Sequence, residues 1–122
     1  MKAMRKIWPA VLLALALSAC AGGVSSQPSA RERTIQVSNI KAQLAVEYMR
    51  AQDYRQAVSS IDEALTSNSK NENAWLVRAQ IYQYLKVPDK AQESFLKALA
   101  ISPNSAEINN NYGWFLCNTQ NK

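Results

Sequence analysis

Two cysteines, Cys20 and Cys117, are the only thiols in this 122-residue chain, and histidine is absent. Without imidazole there is no side chain that exchanges a proton near neutral pH, and the usual histidine-containing metal cluster is excluded. Asp62 and Glu63 are the nearest carboxylates in sequence, but successive residues on a helix diverge and do not face one site. No glycine-rich phosphate loop is present. The chain is therefore expected to be no enzyme, with no metal, no cofactor and no small-molecule substrate.

The formal charge of +5 comes from 14 basic and 9 acidic residues. Lys2, Arg5 and Lys6 precede an apolar run, Ile7–Leu17, and Leu17-Ser18-Ala19-Cys20 follows with small residues before the cysteine. A basic start, a short apolar stretch and a small-residue cleavage site mark a secretory leader. A span of the bilayer takes roughly 20 apolar residues, and Pro9 interrupts this shorter run. Residues 1–19 are read as a lipoprotein signal peptide. Its removal leaves 11 − 9 = +2 on the mature chain, with no basic stripe of the kind that binds nucleic acid.

Leu17-Ser18-Ala19-Cys20 resembles the bacterial lipobox, whose cysteine takes a diacylglycerol on sulfur, becomes the mature N-terminus and is N-acylated. One acyl chain binds a membrane marginally and two or more hold it stably, so lipidation of Cys20 implies a lasting anchor. In lipoproteins an aspartate after the cysteine commonly marks inner-membrane retention. Ala21 in that place implies the periplasmic face of the outer membrane. Residues 20–37 are expected to form a lipidated flexible tether, since Ala21–Thr34 carries Gly22, Gly23, Pro28 and several serines without apolar periodicity. Arg31 and Arg33 either touch anionic head groups or are solvated linker residues.

The remainder of the chain repeats itself. Shifting 38–71 onto 72–105, a period of 34 (72 − 38), places Ala45 on Ala79, Tyr48 on Tyr82 and Ala57 on Ala91. The same shift places Ile61 on Phe95, Ala64 on Ala98 and Leu65 on Leu99. This small, aromatic, small, bulky, small order matches the tetratricopeptide repeat, in which alanines let two antiparallel helices approach closely. Trp75 and Pro103 occupy the fourth and thirty-second positions of the second unit, where the first has Lys41 and Ser69. The fold is expected to be all-α, a right-handed solenoid of about two and a half repeats over residues 38–122, the last being the partial unit 106–122. Helices are expected over 72–85 and 88–101, with Asp53 as a cap before Tyr54, Pro88 in a first turn and Pro103 as a stop. A last helix over 106–117 offers Ile108, Tyr112, Trp114, Phe115 and Leu116 without its partner helix. Either it is a cap that uses those residues against the second unit, or a longer protein has been cut short; the missing cap favours the latter.

Met49, Trp75, Tyr82 and Phe95 lie at helical spacing and read as core. The first helix of each unit lines the concave face of such a solenoid. By register the candidate partner-binding groove comprises Val46, Met49, Arg50, Asn73, Leu76, Gln80, Gln83, Tyr84, Asn110 and Trp114. Amides, Tyr and Trp with one Arg suit an extended peptide or a helix of a protein partner. Cys117 is a small buried hydrophobe, half of a disulfide whose partner lies past Lys122, or a free thiol that dimerises.

Leu44-Ala45-Val46-Glu47-Tyr48-Met49, Ala74-Trp75-Leu76-Val77-Arg78-Ala79, Tyr82-Gln83-Tyr84-Leu85-Lys86-Val87 and above all 106–117 resemble one family. It is the type IV pilus biogenesis and stability lipoproteins, the pilotins of the PilW/PilF family. The resemblance covers Val37 onward, and family members are about twice this length. It implies an outer-membrane lipoprotein that binds the pilus secretin and promotes its localisation and assembly there. The alternative is a lipoprotein scaffold for outer-membrane barrel assembly or cell-wall synthesis.

Overall fold

The computed structural model describes residues 26–120. The expected leader 1–19, the expected lipidation site Cys20 and the first residues of the expected tether lie outside them. The described residues form five helices: α1 (Ala30–Arg50), α2 (Tyr54–Ser67), α3 (Glu72–Tyr84), α4 (Pro88–Ile101) and α5 (Ala106–Gln120). Two helical hairpins, α1–α2 and α3–α4, are followed by a single helix, as the repeat register requires.

Local chemistry sets each boundary. Asp53 accepts a hydrogen bond from the Gln56 amide at 3.2 Å, capping α2. Asn71 caps α3 in the same way through the Ala74 amide at 3.1 Å. No side chain caps α4; Pro88 stands in its first turn, where a missing N–H leaves nothing unsatisfied. Both hairpin turns use one device. Gln52 and Lys86, equivalent positions of the two units, hold left-handed backbone angles, φ 60 and 59. The amides of Gln52 and Asp53 donate to Met49 and Tyr48 oxygens, and those of Lys86 and Val87 to Gln83 and Tyr82. These paired bonds satisfy the last carbonyls of α1 and α3 and reverse the chain.

One boundary differs from the sequence reading. Residues 30–37 are helical, not tether. Ser29 accepts from the Glu32 amide at 3.2 Å, and the Ser29 amide donates to the Glu32 carboxylate at 3.1 Å. This reciprocal pair nucleates a helix start upstream of the repeat register, so α1 is 21 residues long against 14 for α2. The last helix also reaches Gln120, past the expected Cys117.

Alanines govern the packing. Ala45, Ala57, Ala64, Ala79, Ala91 and Ala98 are all at 0 % exposure, so helix backbones meet where larger side chains would hold them apart. The core forms two adjoining clusters. Ile61, Val77 and Ile81 anchor the first, and Leu76, Tyr82, Phe95, Ile108 and Phe115 the second. Helix α3 supplies both, because its two apolar faces point to opposite sides. Ser38 donates to the Ala64 carbonyl at 2.7 Å, and the Asn71 amide donates to Ser38 at 2.9 Å. These bonds tie the start of the second hairpin to both helices of the first. Arg78 is held between helices by Ser94 at 2.7 Å and lies 4.9 Å from the Tyr82 ring centroid and 5.6 Å from that of Trp75.

Candidate functional site

Six side chains from three helices line one open groove of about 480 Å³: Met49 of α1, Gln80, Gln83 and Tyr84 of α3, and Asn111 and Trp114 of α5. Gln80, Gln83 and Tyr84 share a face of α3 because residues three and four apart are helical neighbours. The opposite faces of α3 bury Val77, Ile81, Ala79 and Tyr82. The register repeats the geometry, since Val46, Gln80 and Trp114 are equivalent, as are Met49, Gln83 and Cys117.

The chemistry of the lining is apolar surface with neutral amides. Trp114 is 69 % exposed and Tyr84 63 % exposed. Tyr84 stacks on Tyr54 of α2, with ring centroids 5.7 Å apart and planes 22° from parallel. That contact steadies a large exposed ring without covering it. Gln80 and Gln83 each present both a donor and an acceptor, and Asn111, whose Nδ2 donates to the Glu107 carbonyl at 2.8 Å, presents an acceptor, which is what an extended backbone needs from a groove. No charged side chain lines it.

Five of the ten residues assigned to the groove from sequence therefore converge: Met49, Gln80, Gln83, Tyr84 and Trp114. Leu76 does not; it is 3 % exposed and packs in the second core cluster. Its equivalent in the first unit, Ala42, is buried as well, and an apolar pair in register is the signal of a core position. Val46 is half-buried against the first cluster. Arg50 is exposed and pairs with Glu47 at 3.0 Å, while Asn73 and Asn110 are exposed outside the lining. Asn111 escapes the sequence reading because the register equates it with buried Val77.

Cys117 is exposed and bonded to no other cysteine among the described residues, so it is not a buried hydrophobe. Ile108 and Phe115 are buried against the second unit, Tyr112 and Leu116 half-buried. A second concavity of about 430 Å³ lies between the α3–α4 turn and α5, lined by Tyr82, Gln83, Lys86, Pro88, Phe115, Asn118 and Thr119. No sequence signal marks it, because it depends on the angle at which α5 leaves the stack. Among the described residues no group of three thiolate or carboxylate side chains converges as metal ligands would. No described helix is long and apolar enough to cross a membrane.

Tetratricopeptide-repeat family models match residues 72–105 and 94–122. Two solved structures are similar over most of the described chain. One is the crystal structure of PilW, a widely conserved type IV pilus biogenesis factor: 76 % identical, TM-score 0.69, covering 70 % of this chain and 39 % of that one. The other is PilF of Pseudomonas aeruginosa, 27 % identical with TM-score 0.68, covering 76 % of this chain and 40 % of that one. The chain thus spans about two fifths of the length of either. No curated protein matches.

Proposed function

Since the chain is a tetratricopeptide-repeat protein with type IV pilus biogenesis proteins as structural neighbours, we propose that it holds a protein partner of the pilus machinery at the cell envelope. The observation that carries this is the groove, where Trp114, Tyr84 and Met49 offer apolar contact beside three amide side chains. Such a surface recognises an extended or helical segment through its apolar side chains and backbone polar groups.

The finer reading joins the groove to Cys20. The lipid on Cys20 fixes the protein to the periplasmic face of the outer membrane, and the groove binds a subunit of the type IV pilus secretin. The lipobox and the family resemblance of 106–117 support it. Holding each subunit on the surface where the ring assembles raises its effective concentration, which favours assembly without any new contact. Neither step makes or breaks a bond.

Two variants test it. Cys20→Ala removes the anchor, and secretin multimers should become depleted in the outer membrane; unchanged multimers refute the anchoring role. Trp114→Ala in the lipidated protein should abolish co-purification of the secretin while thermal unfolding stays unchanged, because Trp114 is exposed. Undiminished co-purification refutes the groove.

A further inference from the structure

Helix α1 carries an apolar stripe that the other described helices leave partly exposed. Val37, Ile40 and Leu44 are 43, 65 and 37 % exposed, and with Arg33 they recur at the spacing of one helix face. At about 100° per residue this face lies well away from the one that buries Ala42 and Ala45. The charges around it are mostly spent. Lys41 pairs with Glu63 of α2 at 2.6 Å and Glu47 with Arg50 at 3.0 Å. Asp62 is exposed on α2 near Val37. Glu32 is engaged with Ser29, and among the described residues Arg33 has no ion-pair partner.

The early start of α1 changes where this stripe sits. A tether ending at Val37 would start the first helix at Ser38, whereas it starts at Ala30. Even fully extended, the roughly ten residues from Cys20 to Ala30 reach no more than about 35 Å. That is close to the length of α1 itself, about 31 Å at 1.5 Å per residue. Lipid at Cys20 therefore keeps the start of α1 within about 35 Å of the bilayer, a reach that lets the helix lie along that surface.

We propose that the Arg33, Val37, Ile40 and Leu44 face of α1 lies on the bilayer beside the lipid anchor and sets the orientation of the domain. This rests on lipidation of Cys20. Three aliphatic side chains are too few to recruit a protein from solution. An anchored protein is already at high effective concentration, so a shallow contact suffices to select one orientation. The aliphatic side chains enter the head-group boundary, and Arg33 extends its charge toward lipid phosphate. Met49 follows Ile40 by two and a half helical turns and so points the opposite way. The groove is thereby kept clear of lipid and open to a periplasmic partner.

The experiment uses the full chain with its leader, in a Cys117→Ser background. Acylated Cys20 then leaves one thiol for a nitroxide label at Ile40→Cys, Leu44→Cys or Gln80→Cys. Each protein is reconstituted into phosphatidylethanolamine–phosphatidylglycerol vesicles, and flotation and the acyl mass at Cys20 are measured first. Labels at 40 and 44 should lose collisions with a water-soluble nickel chelate and gain collisions with oxygen, while the label at 80 stays open to nickel. Adding Ile40→Glu should restore nickel access to a label at Val37→Cys. A protein that floats and carries the acyl mass, yet is as open to nickel at 40 and 44 as at 80, overturns the proposal and leaves the anchor standing. A protein with neither flotation nor acyl mass removes both. Shielding at 40 and 44 that is absent in lipid alone and arises on adding the solubilised secretin assigns the face to a protein and overturns the bilayer contact.

Discussion

The eighth position of each repeat is occupied by Ala45, Ala79 and Gly113, and enlarging the side chain there should have opposite effects in different units. Ala79 is at 0 % exposure where α3 meets α4. Ala79→Leu pushes a branched side chain into that contact, and overpacking of this kind costs about 1–3 kcal/mol. Around Gly113 the situation reverses: a Cβ built there meets nothing within 4 Å. Glycine inside a helix is about 0.8–1.0 kcal/mol less favourable than alanine, and Gly113 has no left-handed backbone angle that would require it. Gly113→Ala should therefore stabilise α5 by about 1 kcal/mol. In a domain of this size a change of about 1 kcal/mol moves the melting temperature by roughly 4–8 °C. Because repeat arrays unfold partly unit by unit, α5 contributes in proportion to its coupling to the second unit. Thermal unfolding followed by far-ultraviolet circular dichroism gives both numbers, and amide hydrogen exchange within α5 isolates the local one. A lowered melting temperature for Gly113→Ala, or an unchanged one for Ala79→Leu, refutes the packing argument.

Phe95→Ala should cost about 3–5 kcal/mol in urea unfolding, since Phe95 is fully buried and meets Tyr112 and Phe115 at centroid distances of 5.3 Å. The same change should speed amide exchange in α5 more than in α1, because those two rings, with Ile108 and Leu116, pack α5 on the second unit. Ser29→Ala removes one arm of the capping box and should destabilise the start of α1 by about 0.5–2 kcal/mol. Exchange should then rise across Ala30–Val37 and stay unchanged from Ser38 onward, where Ala64 and Asn71 hold the helix.

The repeat is legible in the sequence because its physics is periodic. Alanine at a close approach and an aromatic beside it recur once per unit, and both hairpins follow from that register, including Asp53, Pro88 and the stop before Pro103. What escapes the register is whatever breaks the repeat. The capping box at Ser29 lies upstream of the first unit, in a stretch whose glycines and serines read as linker, so a local two-residue bond decides what composition does not. Leu76 falls in the groove by its position in the first helix of the unit, but α3 is flanked by core on both sides, and a helix in that place buries more than one face. Gln80, Gln83 and Tyr84 reach the groove for the complementary reason: polar and aromatic residues at three- and four-residue spacing are left for the face that neither neighbour covers.

That same rule relates the two surfaces to which function is assigned. A terminal helix has one neighbouring hairpin where an internal helix has two, so α1 keeps an outer face that α3 lacks. In α3 the equivalents of Ile40 and Leu44 are Ala74 and Arg78, and that of Val37 is its cap, Asn71. Asn71 and Ala74 are buried against the first hairpin, and Arg78 is half-buried against Ser94 and Glu93 of α4. In α1 the positions are exposed yet still aliphatic. Solubility alone would favour polar residues at the end of a stack. Aliphatic ones there are intelligible if the end is covered by something other than another repeat, which is the role that the proposed contact with the bilayer gives them. The groove runs across the first helices of successive units on another side, so one helix serves both surfaces by the half-turn between Ile40 and Met49.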